Sequence, residues 1–224
     1  MGYPIFAGIQ GGNLRSTCPS VVPYGEHILK HPAVAQGMKA DFVLQIGAPL
    51  ISTEISKVVS ECMTNGGSHV LVHPHHPSER ADPSFTVTHR VSSEAGIFLK
   101  SVQQRLESSG FTKGVLTSDL APLVLLGRAL GENMPEIIHR ASSDVVAQQL
   151  GNENGGVLLT EPQVALAISE VMKDRSNVTK ASLFLSNSMP VRDAEFFLYP
   201  SSIGSGSPSS VAVNRGASGI DGII

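Results

Sequence analysis

A short apolar run, Phe42-Val43-Leu44-Gln45-Ile46, closed by Gly47, constrains the fold of this chain more than any other feature. Its β-branched and aromatic residues suit a strand, which we place over 41–47. Ser52 or Thr53 can cap a helix directly after it, with Glu54 near the positive end. Ile51, Ile55, Val58, Val59 and Cys62 then recur on one helical face. Gly66-Gly67 ends that pattern, and His69-Val70-Leu71-Val72 reads as the next strand. Two strands separated by a helix need a crossover connection, so they lie parallel. The expectation is therefore an α/β fold, a parallel sheet covered by helices on both faces.

The same alternation continues. Pro4 to Ile9 and Phe85 to Thr88 are further strand candidates, and Ser92 or Ser93 can open a helix whose apolar surface is Ile97, Leu99, Val102 and Leu106. From Leu120 to Leu150 the pattern is helical, interrupted by Gly127, Gly131 and Pro135. Beyond the polar stretch Asn152 to Gly156, a second α/β unit begins at Val157. Thr160 and Gln163 have capping-box spacing, and Val164, Ile168, Val171 and Met172 form its expected buried stripe. Ala181 to Leu185 is a strand, Ser186-Asn187-Ser188 can cap a helix, and Val211 to Val213 is a strand after a Ser/Pro/Gly-rich surface loop. The expected organisation is a Rossmann-like α/β domain over 1–115, a helical connector over 116–156 and the opening of a second α/β domain over 157–224. That last part reads as incomplete, since the chain stops in an apolar run after a glycine-rich loop.

Composition removes several classes of function. A formal net charge of -3 offers no attraction to nucleic acid or anionic membrane, and 5% aromatics with no Trp is thin for base stacking. No apolar run is long enough for membrane insertion, and no basic or Arg/Ser-rich targeting leader is seen. Cys18 and Cys62 fit no metal or redox spacing and read as reduced thiols. His73, His75 and His76, with Glu79 and Asp82, invite a metal reading. However, Pro74 and Pro77 hold that segment extended and the histidines lack i, i+4 spacing, so it reads as a surface loop. No nucleophile elbow is present, and no histidine or cysteine setting singles out a catalytic nucleophile.

Chemistry concentrates in two loops that follow strands of the second unit, where open α/β sheets hold ligands. Asn187-Ser188-Met189-Pro190-Val191-Arg192-Asp193 offers a hydroxyl, amides at a helix start and a guanidinium, a set suited to a carboxylate or phosphate. The competing reading is an ordinary helix start with Arg192 paired to Asp193 or Glu195. Asn214-Arg215-Gly216-Ala217-Ser218-Gly219-Ile220-Asp221-Gly222 places three glycines after a strand, allowing backbone to approach a ligand. It is neither a dinucleotide fingerprint nor a P-loop.

These two strings, with Leu185-Ser186 before the first, resemble the SEPHCHC synthases, the 2-succinyl-5-enolpyruvyl-6-hydroxy-3-cyclohexene-1-carboxylate synthases. Ala40 to Gly47 and Ala81-Asp82-Pro83 resemble the family's central domain. The resemblance implies a thiamin-diphosphate enzyme of menaquinone or phylloquinone biosynthesis that decarboxylates 2-oxoglutarate and adds the product to isochorismate. It implies the central domain plus the start of the diphosphate-binding domain, a homodimer or homotetramer when intact, and a chloroplast location if the source is a plant or alga, otherwise cytoplasmic. By motif, Ser188, Arg192 and Arg215 fall at substrate-binding positions. Ile220 falls at the bulky prop of the bent thiamin, and the Ser218 carbonyl at the acceptor for its aminopyrimidine.

The pattern is not fully kept. Ser186 stands where the family has Gly, and Gly8 stands at the acidic place of an N-terminal turn. The activating glutamate and the Gly-Asp-Gly element that holds Mg2+ or Mn2+ have no counterpart in these residues, so no catalytic residue is assigned and the chain alone is expected to be inactive. The alternative is a non-catalytic Rossmann-like nucleotide-binding module, which the missing G-x-G-x-x-G argues against.

Overall fold

The computed structural model describes residues 3–11, 14–47, 50–74, 82, 84–110, 121–150, 159–175, 182–186, 188–198 and 210–213. By its internal contacts the chain divides into two units, Leu29–Val115 on one side and Gly2–Ile28 with Leu116–Ile224 on the other.

In the first unit, β1 (Phe42–Ile46), β2 (Ser68–Val72) and β3 (His89–Val91) form a parallel sheet in that order. The register sets Phe42 beside Ser68 and Val70 beside His89. Helix α4 (Thr53–Thr64) makes the first crossover. Of the two candidate caps, Ser52 takes the role, its hydroxyl accepting from the Ile55 amide at 3.0 Å. Val59 and Cys62 are the buried residues of α4. At its end Gly67 is packed so closely that a Cβ there would lie 2.4 Å from Cys62 Sγ.

Cover of this sheet is less complete than expected. Phe42, at 56% exposure, Leu44 and Ile46 lie on one face of β1 and remain exposed. Helix α5 (Ala95–Ser108) buries none of its residues, and Ile97 is 65% exposed. The helical and strand periods were legible, but periodicity does not say what a stripe packs against.

The strand expected over Phe85–Thr88 begins instead at His89. Asp82 occupies the preceding backbone, its carboxylate accepting from the Val87 amide at 2.8 Å, and Phe85 has a positive φ of 54°. His69, 2% exposed on β2, anchors this turn. Its Nδ1 lies 3.0 Å from Thr86 Oγ1 and its Nε2 3.1 Å from Gln45 Oε1. Thr88 donates its hydroxyl to the His69 carbonyl at 2.9 Å.

The second unit is built differently from the expected division. Residues 2–28 do not join the sheet of β1. The strand anticipated at Pro4–Ile9 is reduced to one parallel bridge, Ile5 with Val21, and a single 3-10 turn at Ile9–Gly11. Two short helices follow, α1 (Leu14–Thr17) and α2 (Gly25–Leu29), while α3 (Pro32–Gly37) lies in the first unit. Residues 121–150 are one continuous helix, α6, rather than an interrupted connector. Its glycines are packing positions and not breaks. A Cβ on Gly127 would sit 2.4 Å from the Pro23 carbonyl oxygen, and one on Gly131 would touch the Tyr24 ring at 3.0 Å. Pro135 lies inside α6 at the cost of one helical hydrogen bond.

Tyr24, Met134, Ile138 and Leu166 form the buried cluster of this unit, with Leu130 and Phe197 against it. Helix α7 (Glu161–Arg175) starts with the anticipated capping box, Gln163 Oε1 accepting from the Thr160 amide at 2.9 Å. Its buried face differs from the expected stripe. Ala165, Leu166, Ser169 and Met172 are buried, whereas Val164 and Val171 are exposed. Strands β4 (Ser182–Leu185) and β5 (Ser210–Val213) pair in parallel, and α8 (Met189–Phe197) follows β4. No helix among the described residues is long and apolar enough to cross a membrane.

Burial pushes the His69 pKa below its ordinary value, and the nearby Asp82 charge only partly opposes this. The unfolded chain takes up the proton near pH 6.5, the folded chain at a lower pH. Between those values the unfolded state binds more protons. The stability His69 contributes is therefore complete above about pH 6.5 and drains away as pH falls toward the folded value. Urea unfolding at pH 7.5 and 5.5 should show wild type losing more stability than His69→Gln. Equal losses would contradict the assignment.

Candidate functional site

The β4–β5 ladder fixes where the two chemical loops begin. Leu185 pairs with Val213 at the carboxyl ends of the two strands. Adjacent parallel strands lie about 4.8 Å apart, so the chain leaving β4 at Ser186 and the chain leaving β5 start side by side. This is the strand-end position at which open α/β sheets hold ligands. Of the site residues expected from sequence, Ser188 and Arg192 lie in the described structure. Arg215, Ser218 and Ile220 lie outside the described residues, as do His75, His76 and Glu79. Among the described residues no cluster of His, Cys, Asp or Glu could hold a metal ion.

Ser188 precedes α8 with φ 71° and ψ −125°. That region is strained for a residue with a Cβ, at about 1–3 kcal/mol, and strain of this kind concentrates at functional sites. The Ser188 side chain does not cap α8, contrary to the sequence expectation, because this backbone turns it away from the helix amides. Pro190, in the first turn, needs no amide partner there and presets a helical φ.

Helix α8 divides cleanly. Val191, Ala194 and Leu198 are buried, whereas Arg192 is exposed. Arg192 makes no hydrogen bond or ion pair among the described residues. The competing sequence reading paired it with Asp193 or Glu195, and the structure shows neither pair. Glu195 is turned inward, 9% exposed, and its carboxylate accepts from the Ile9 amide. Asp193 is half-buried, and its pKa is raised first by burial and then by the like charge of Glu161 at the start of α7. The start of α8 thus presents an exposed guanidinium with no counter-ion among the described residues, and a strained serine one turn before it.

Sequence reasoning did not find the partners of α8. Arg15 is buried and its Nη2 donates to the Glu195 carbonyl at 3.4 Å. His27 Nε2 lies 2.9 Å from the Phe196 carbonyl. A carbonyl only accepts, so Nε2 carries the proton. His27 also packs edge-on against Phe196. The one available signal was the i, i+4 pair Gly127 and Gly131, which marks a close helix approach as readily as a break.

The chain is thus α/β, with parallel strand pairs and an exposed cation on the helix that follows β4. Known proteins give it a family context. The chain is 28% identical over 227 residues to a SEPHCHC synthase of Rubrobacter xylanophilus, an alignment that takes in 100% of this chain and 33% of that protein. It is 31% identical over 196 residues to one from Pelodictyon phaeoclathratiforme, covering 86% of this chain and 27% of the relative. It is 29% identical over 221 residues to the chloroplastic protein PHYLLO of Arabidopsis thaliana, covering 91% of this chain and 11% of the relative. No family model matches. The chain is a homologue of the SEPHCHC synthases, and it spans a third or less of these relatives' length.

Removing the Cβ should relieve Ser188. Ser188→Gly is expected to stabilise the protein by about 1 kcal/mol, net of glycine's extra freedom in the unfolded chain. Thermal unfolding checks this. A destabilised Ser188→Gly would show that the serine backbone is unstrained.

Proposed function

We propose that this chain forms part of a thiamin-diphosphate-dependent SEPHCHC synthase, contributing the surface that receives substrate carboxylates. The substrates on this reading are 2-oxoglutarate and isochorismate, both dianions, in menaquinone or phylloquinone biosynthesis. The observation that carries it is Arg192, exposed on the helix that follows β4 and without a counter-ion among the described residues. Relatives named as SEPHCHC synthases along nearly the whole chain support it.

The strand-end geometry fits the cofactor in one respect. The Leu185–Val213 pair brings the roots of both loops together, as a ligand lying across two strand ends requires. Ile220 would prop the bent thiamin and the Ser218 carbonyl would accept from its aminopyrimidine. When bound, the cofactor supplies the electron sink for decarboxylation. The residues of this chain bind and orient. Arg192, joined by Arg215, pairs bidentately with carboxylate, which Lys could not reproduce, and the Ser188 hydroxyl donates a further hydrogen bond. Exposed guanidiniums gain strength when a closed site removes water around them. The activating glutamate and the Mg2+ or Mn2+ ligands belong to other parts of the intact enzyme, a homodimer or homotetramer on this reading. A plant or algal source would place that enzyme in the chloroplast, as the name of the Arabidopsis relative does for that protein.

Titration of the 224-residue chain with 2-oxoglutarate, followed by amide NMR, tests the reading. Shifts should saturate and centre on 188–193, and Arg192→Ala should weaken binding by roughly tenfold, the worth of a charged hydrogen bond. The chain alone should release no carbon dioxide from 2-oxoglutarate with thiamin diphosphate and magnesium. Tight binding of NAD or FAD, with shifts centred on Gly47, would overturn this reading in favour of a nucleotide-binding module.

A further inference from the structure

We infer that Glu195, with Arg15 and His27, is a positioning group for the carboxylate-binding end of α8, and that Ile9, Arg15 and His27 of the N-terminal segment thereby support that site. The inference rests on the functional reading above and goes beyond it, because none of these three residues touches the exposed face that carries Arg192.

The last turn of a helix leaves carbonyls without intrahelical partners. In α8 the Ala194 carbonyl is taken by the Leu198 amide. The next two are taken by the N-terminal segment, Glu195 by Arg15 Nη2 and Phe196 by His27 Nε2. A guanidinium is also the favoured charge at that end of the helix dipole. Contact runs the other way as well, since the Glu195 carboxylate accepts the Ile9 amide at the start of the 3-10 turn. A Cβ on Gly8 would still clear Glu195 Oε2 by 3.6 Å, so the approach here is set by the hydrogen bond and not by crowding.

These contacts fix α8 along its axis and about it. Glu195 and Arg192 are three residues apart, so they are neighbours on the helix surface. Rotation that released Glu195 from Ile9 would carry Arg192 with it. Helix α8 is short, and its amino-terminal end is held by the strained Ser188 backbone. Its carboxyl-terminal end therefore depends on the N-terminal segment for its orientation. A guanidinium misplaced by about 1 Å loses bidentate geometry.

The test uses the full chain, with 2-oxoglutarate affinity and α8 amide hydrogen exchange as readouts. Glu195→Ala should weaken 2-oxoglutarate binding by roughly fivefold or more and speed exchange along 192–198, with the far-ultraviolet circular dichroism unchanged. Glu195→Gln keeps an acceptor for the Ile9 amide and should restore both to within about twofold of wild type. If Glu195→Ala does not fold, His27→Leu, which removes the donor to Phe196 together with the imidazole's ring contacts, carries the same expectation. Wild-type affinity in a folded Glu195→Ala or His27→Leu, in a protein where Arg192→Ala does lose binding, overturns the positioning role alone. Wild type that fails to bind 2-oxoglutarate overturns the functional reading and this role with it, whatever the exchange shows.

Discussion

The close approach of α6 to the segment around Pro23 and Tyr24 is the constraint on which the second unit depends. Gly127 leaves no room for a Cβ, and at Gly131, one turn on, a Cβ would press on the Tyr24 ring at 3.0 Å. The absence of both side chains lets the Tyr24 ring reach Met134, Ile138 and Leu166. With Tyr24 held, His27 is delivered to the Phe196 carbonyl and Ile9 to the Glu195 carboxylate. One seam of two glycines thus connects the N-terminal segment, the long helix and the helix that bears Arg192. The chain is discontinuous through this unit, because residues 29–115 form the other one.

The two sheets serve different ends. In the first unit the parallel ladder carries a buried histidine whose neighbours are side-chain amide, hydroxyl and carboxylate groups, an arrangement that holds a turn in place. In the second, a two-stranded ladder does little more than bring two loops to a common edge. The polar chemistry there is sparse and uneven. An arginine without a partner among the described residues is exposed, while the two carboxylates nearest it in sequence are withdrawn, Glu195 into a hydrogen bond and Asp193 into a half-buried setting where the Glu161 charge is felt.

Much of this was legible in the residues. The strands at 42–46, 68–72 and 182–185 and the helices that follow them are local, carried by alternation, capping residues and glycine stops. Ser52 and the Thr160–Gln163 box needed only hydroxyl and amide chemistry within four residues. What escaped was long-range. Glycine inside a helical pattern signals either a break or a seam, and only the partner, Pro23 and Tyr24 more than a hundred residues away, decides which. The buried face of α7 was met only in part for the same reason, with Met172 buried as expected. Val164 and Val171 look like core by hydropathy, but the helix turns Ala165 and Ser169 inward, small residues that allow close packing. The strain at Ser188 was likewise hidden, since nothing in Ser186-Asn187-Ser188 marks a residue driven to positive φ. Ser188 and Arg192 could be singled out as candidates because their chemistry is local to one loop.

The most direct examination of this account asks which body the N-terminal segment joins. Nuclear Overhauser contacts from the Tyr24 ring to the methyl groups of Met134, Ile138 and Leu166 report it without any ligand or variant. The account predicts all three. Their absence, with contacts from Ile5 or Val21 to the side chains of Val43 and Leu71 instead, would place the segment on the first sheet and contradict it.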